Sequence, residues 1–217
     1  VPLADGPDRP MAEATVEPDV AERQNAEEQT GQTGQTGHLL ANGWRIYEPV
    51  NLGPTVNSSD NEQTPYLSHN GLTLLFSSNR AGGLGRDDLW MCRRASTSEP
   101  FGEPVNLGPS VNSDAIDQGP CLSADELTLV FSSNRDGGQG RTDLWMCRRA
   151  SPGEPFAAPV NLGPTVNSTT ADDRPCLSAD GLVLIFESIG PRPGGMGHGD
   201  LWSCSRASPS AVCASAP

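Results

Sequence analysis

At 217 residues and a net charge of −13, the chain has room for one domain plus a tail. Only 35% of it is hydrophobic and 5% aromatic, against 24 Gly and 20 Pro, which suits short strands joined by turns and excludes a helix bundle. The acidity also argues against nucleic acid and anionic lipid, since binding either requires Lys or Arg to match phosphate charge.

Residues 1–43 come first. AEATVEPDVAERQNAEEQTGQTGQTGH is rich in Glu, Gln and Gly, and 1–43 hold eight acidic residues against two Arg. Such a segment buries too little apolar surface to offset the entropy of ordering, so it reads as a disordered acidic tail or linker. A short helix at 19–29 is the alternative. The start, VPLADGPDRP, has neither the basic nor the apolar stretch of a secretory signal, and begins with Val. A processed product, a fragment and an unusual start codon all stay open. No apolar run approaches the roughly 20 residues that span a bilayer, so membrane insertion is not expected.

From residue 44 to 206 the chain repeats itself. VNLGPTVNS begins at Val50, VNLGPSVNS at Val105 and VNLGPTVNS again at Val160, 55 residues apart each time. Residues 50–104 and 105–159 are identical at 37 of 55 positions, and the third copy, 160–206, gains two residues before Asp200. Within a copy, PYLSHNG (65–71), PCLSADE (120–126) and PCLSADG (175–181) read as a short strand running into a turn. LTLLFSS (72–78), LTLVFSS (127–133) and LVLIFES (182–188) read as strands buried on both faces. NRAGGLGRD (79–87) and NRDGGQGRT (134–142) are glycine turns, followed by the strands DLWMCRR (88–94, 143–149) and DLWSCSR (200–206). PFGEPVNLG (100–108) and PFAAPVNLG (155–163) supply a weaker fourth strand, which its prolines confine to a sheet edge.

Four antiparallel strands per repeat, apolar on both faces, require sheets stacked on sheets. The fold class expected is all-β: blades of a β-propeller in three tandem four-stranded repeats, an incomplete ring. A β-solenoid is the alternative, although its repeats run nearer 20–30 residues. The string L-S-x-D-G-L-x-L-x-F-x-S, then N-R-x-G-G-x-G and D-L-W, resembles the bacterial WD40-like repeat of TolB-type propellers over 44–206. Asn70, Glu126 and the run Ser188-Ile-Gly-Pro-Arg depart from it. The resemblance implies a sensing or docking module of a larger bacterial protein, with the periplasm or envelope ahead of the cytoplasm.

Propellers have about four to eight blades, and this chain supplies three. The third copy has no second VNLG after Arg206, only the tail 207–217, while WRIYEPVNLG (44–53) looks like an orphan fourth strand. Three readings stay open: a piece of a longer protein with more blades, a half-ring whose homodimer completes six blades, and a three-blade stack.

Candidate chemistry falls at repeated positions. Glu62, Asp117 and Asp172 share one loop position and would gather on one propeller face as an acidic ring for a cation or basic peptide; solvated or locally hydrogen-bonded turn residues are the alternative. Arg80 and Arg135, with Arg192, precede Asp88, Asp143 and Asp200 across the glycine turn. An Asp–Arg or an Asp–backbone contact pins that turn, or the pairs bind a ligand. Glu62, Asp117, Asp172, Arg80 and Arg135 are therefore the candidate binding residues. Trp90, Trp145 and Trp202 recur in the third strand, for blade packing or sugar stacking.

Cys92, Cys147 and Cys204 share one position, Cys121 and Cys176 another, and Cys213 lies in the tail. Without a CxxC pair no zinc site is expected. The two positions sit on first and third strands, roughly 9–10 Å apart by two strand spacings, beyond disulfide reach. Buried thiols are expected, and a bridge between blades is the alternative. His38, His69 and His198 occupy unrelated places, and no catalytic triad, phosphate loop or nucleophile elbow is present. L-S-A-D-G-L resembles a sialidase Asp-box without its final aromatic. The sequence thus predicts a non-catalytic scaffold for an unidentified protein partner, with no cofactor and no metal. A carbohydrate-binding or hydrolase-associated propeller fragment is the alternative.

Overall fold

Each 55-residue period yields one antiparallel meander, its first three strands from one copy and its fourth from the VNLG segment that opens the next or, in blade three, from the tail. The computed structural model describes residues 37–39, 43, 45–208 and 214–215. The chain divides into two units between Val50 and Asn51.

In the first unit, β1 (Gly37–Leu39) pairs antiparallel with β2 (Arg45–Tyr47) as a two-stranded sheet. This corrects two expectations. Gly37–Leu39 is a strand where the acidic tail was expected, and the supposed orphan strand is taken up locally. The remaining tail, with its alternative helix at 19–29, lies outside the described residues.

The second unit holds three blades. Blade one is β3 (Glu62–Leu67), β4 (Thr73–Ser78), β5 (Asp88–Arg93) and β6 (Val105–Asn106). Blade two is β7 (Asp117–Leu122), β8 (Thr128–Ser133), β9 (Asp143–Arg148) and β10 (Val160–Asn161). Blade three is β11 (Ala171–Leu177), β12 (Val183–Ile189), β13 (Gly199–Ser205) and β14 (Ala214–Ser215). First strands of neighbouring blades lie against one another, which places them innermost. The fold is all-β and built of propeller blades.

The fourth strands β6 and β10 are only two residues long. Pro104 and Pro109, like Pro159 and Pro164, bracket them and cannot donate to a ladder. Blade three carries a fourth strand after all: β14 comes from the tail and pairs Cys204↔Ser215 and Ser205↔Ala214. The pairing is main-chain only, so an edge strand accepts any short extended segment and needs no VNLG sequence.

The second strands β4 and β8 are buried at all six positions; β8 lies between two blades, whereas the rear of β4 packs with Val56 and Trp90 of its own blade region. The core forms between blades. Leu75 and Leu89 of blade one meet Leu129, Phe131, Trp145 and Cys147 of blade two. Val130 and Leu144 of blade two meet Leu184, Phe186 and Cys204 of blade three. Every blade therefore has two different faces. The rear face carries Leu74, Phe76 and Trp90 or their counterparts, and the forward face carries Leu75 and Leu89 or theirs. Each fully buried Leu, Val or Phe contributes about 1.5–3 kcal/mol, so these junctions dominate stability.

Polar locks repeat with the core. Asn112, in the loop entering blade two, accepts from the Leu89 amide (2.9 Å) and donates to the Leu89 carbonyl (3.0 Å). Asn167 grips Leu144 the same way, at 2.8 and 3.1 Å. The glycine turns reach the next blade as well: Arg86 N donates to Ala115 O at 2.9 Å and Arg141 N to Thr170 O at 2.7 Å. Glycine is required for that approach. A Cβ on Gly85 would lie 2.2 Å from Ala115 O, and one on Gly140 would lie 1.9 Å from Thr170 O.

Candidate functional site

The five candidate binding residues all fall at one end of the blades, where the second strand leaves Ser-Ser-Asn-Arg. The Arg80 amide and Nε both donate to Ser78 Oγ at 3.2 Å, bending the side chain back over its own blade. Its guanidinium then lies over Phe76 and Trp90, with ring-centre distances of 4.9 and 5.3 Å. Arg80 Nη2 donates to Val56 O (2.7 Å) and to Glu62 Oε1 (2.8 Å).

Blade two repeats the arrangement more tightly. Arg135 donates to Val111 O (2.6 Å) and Asp117 Oδ1 (2.5 Å) above Phe131 and Trp145. In blade three Arg192 donates to Asp172 Oδ1 at 3.2 Å and stacks on Phe186 and Trp202. Asp117 and Asp172 are fully buried, and their second oxygens accept from the Ser113 and Ser168 amides. Each candidate carboxylate is thus turned into its own blade and neutralised by its own Arg. The arrangement ties the VNLGPxVNS loop, the first strand and the end of the second strand together. Glu62 is the most open of the three. Burial works against its charge, but hydrogen bonds from Ser58 and Arg80 hold its carboxyl below the usual range.

Asp88, Asp143 and Asp200 make the backbone contact rather than the Arg contact. Asp88 accepts from the Leu84 and Gly85 amides at 2.6 and 3.1 Å, and Asp143 from the Gln139 and Gly140 amides at 2.5 and 2.9 Å. Asp200 accepts from the Met196 and Gly197 amides at 2.9 and 3.1 Å. Asn106 and Asn161 also donate to Asp88 and Asp143, drawing in the fourth strand.

Trp90 and Trp145 are buried beneath their Arg partners, Trp145 between blades one and two and Trp90 among residues on the rear of blade one. Cys92 and Cys147 are buried thiols that burial pushes up to about 11 and about 12. Cys121, also buried, accepts the Leu177 amide at 3.0 Å on its sulfur. Among the described residues, no group of three or more His, Cys, Asp or Glu is placed to hold a metal ion.

One residue the sequence argument left without a role stands out. Glu126 occupies the turn position held by Gly71 and Gly181 and takes their left-handed backbone, φ 59° against 72° and 66°. A non-glycine residue there is strained by roughly 1–3 kcal/mol. Its buried carboxylate accepts from Asn70 Nδ2 and Thr73 Oγ1 of blade one, each at 3.2 Å, and from Arg149 Nη2 of blade two at 3.4 Å. Arg93 lies 3.7 Å away. Glu126 ties the two blades beside a cleft of about 310 Å³ that Arg94 and Asp125 also line. The signal was the departure itself, a Glu at a glycine position of the repeat.

No protein-family model matches the chain, and no curated protein does. Solved structures do. TolB from Acinetobacter baumannii is 16% identical at a TM-score of 0.44, covering 81% of this chain and 35% of that one. A thermostable family-43 glycoside hydrolase is 11% identical at 0.51, covering 80% and 64%. The β-propeller domain of the Trilobed protease from Pyrococcus furiosus is 8% identical at 0.40, covering 67% and 39%. The chain spans less than two thirds of each, and at these identities the likeness concerns the fold alone. Among the described residues no helix is long and apolar enough to cross a membrane.

Proposed function

We propose that this chain is a non-catalytic β-propeller module of the WD40-like, TolB-type repeat kind, which holds a protein partner on its loop rim in the cell envelope. The observation that carries the reading is the engagement of the repeated charged groups. Arg80 with Glu62, Arg135 with Asp117 and Arg192 with Asp172 each close an ion pair within one blade. Side chains spent this way stiffen loops. What remains outward on the rim is a set of glycine turns carrying exposed Arg86, Asp136 and Arg141, a surface for contact rather than bond-making. The envelope placement follows the repeat resemblance.

The test is affinity capture from the native organism with residues 51–217 as bait, beside a rim variant, Arg86→Glu with Arg141→Glu. A partner retained by the parent and lost by the folded variant is the expected result. Capture that ignores the rim charges, or a glycan panel returning a bound sugar instead, would overturn the reading.

A further inference from the structure

Among the described residues, blade three's forward face is a junction half without its other half. Leu201 is 79% exposed and Ile185 45%, whereas Leu89 and Leu144, at the position of Leu201, are fully buried, as are Leu75 and Val130 at that of Ile185. Gly197 makes the same point. A Cβ there would meet nothing nearer than Asp200 Oδ1 at 3.8 Å, where Gly85 and Gly140 are pressed against the following blade.

The matching half exists at the other end of the stack. On the rear side of blade one, Leu52 and Leu67 are 53% and 51% exposed, whereas Leu162 and Leu122 at those positions are 6% and 1% exposed. An apolar hollow of about 200 Å³ lies there, lined by Leu52, Val56, Pro65 and Phe76.

We propose that blade three's forward face is covered by blade one of a second copy, so that copies join head to tail through a third instance of the junction already made twice inside the chain. The interior junctions say what that contact contains. Forward faces carrying Leu75 with Leu89, or Val130 with Leu144, take rear faces carrying Leu and Phe; blade one has Leu74 and Phe76 at those rear positions, packed with its own Val56, and offers the exposed Leu52 and Leu67 beside them. The lock is in place too. Asn57 stands at the position of Asn112 and Asn167, and Asn51 already holds its amide nitrogen at 3.0 Å, as Asn106 and Asn161 hold those residues at 2.9 and 3.0 Å. The second copy's Asn57 would grip the Leu201 main chain as Asn112 grips Leu89. Because the two faces differ, the contact is heterologous, so two three-blade copies close one ring of six or further copies extend a chain.

The test is the oligomeric state of the 217-residue chain by sedimentation, parent beside two blocking variants. Leu201→Arg closes the forward end and Leu67→Arg the rear end. Both positions are exposed, and far-UV circular dichroism checks the fold. Gly197→Val is a second forward block should Leu201→Arg misfold. The parent is expected to associate, each variant alone to be monomeric, and an equimolar mixture of the two to give a 1:1 pair through the one intact junction. A monomeric parent at every concentration would overturn the proposal, leaving further blades or another protein as the cover. So would a Leu67→Arg variant that still dimerises, since only a symmetric pairing of forward faces survives that change.

Discussion

Blades two and three differ less in chemistry than in surroundings. Strand β8 is buried at all six positions, while its counterpart β12 alternates between buried and open. Leu144 and Leu201 follow the same Asp on the same strand, yet one is sealed and the other is 79% exposed. A propeller sheet does not own its core. It holds half of two cores, and the neighbour decides whether each half is worth anything in free energy.

Thiol chemistry should separate the blades most. Cys147 of blade two is buried with its thiol pushed up to about 12, and Cys176 of blade three is exposed. Native alkylation at pH 8, read by peptide mapping, should modify Cys176 at least about a hundredfold faster, because the thiolate is the reactive form. Equal rates would mean blade two opens readily. The same shift has a sign at high pH. An unfolded thiol ionises near its ordinary value of 9.0 while folded Cys147 resists. Its contribution is therefore complete below pH 9 and lost as pH climbs toward 12.

Leucine truncation comes next. Leu144→Ala should cost about 2–5 kcal/mol, and Leu201→Ala in dilute protein less than about 0.5 kcal/mol, measured by urea unfolding followed through Trp fluorescence. Glycine substitution is a smaller version of the contrast. Gly140→Ala drives a Cβ into the Thr170 carbonyl and should cost about 1–3 kcal/mol, while Gly197→Ala should leave the midpoint unchanged.

A fourth pair contrasts Glu126 with Gly181. Glu126→Gly relieves the left-handed strain but strips the partner from buried Arg149, a net loss of about 2 kcal/mol. Acid should produce the mildest effect. Glu62 and Asp125 are both held low, against the pull of burial, by hydrogen bonds from Ser58 and Arg80 and from Ser123. Stability from them is present above their ordinary values of 4.5 and 3.8 and drains as pH falls below those, through the lower folded values. Glu62→Gln should flatten part of that acid slope in urea midpoints taken from pH 5 to pH 2.

Much of this was legible because a repeat prints its architecture more than once. The second strands, the glycine turns and the Asp contacts to turn amides follow from residue type and spacing, which local sterics and main-chain hydrogen bonding translate directly. The Arg80 series was harder. In sequence Arg80 lies nearer Asp88 than Glu62, and only the meander brings the start of β3 beside the end of β4, where Ser78 steers Arg80 toward Glu62. Glu126 was visible as an oddity but silent about its role, since Asn70 and Thr73 come from another blade.

Composition, period and turn chemistry alone settled that this chain makes sheets, that the sheets recur with the 55-residue period, and that both faces of their inner strands must be covered. They could do so because strand alternation and glycine conformation are local properties. Which face meets which neighbour, where β14 is drawn from, and which Leu is left open were decided by the packing of whole blades. Burial depends on what stands opposite, and the repeat writes the same letters at Leu144 and Leu201.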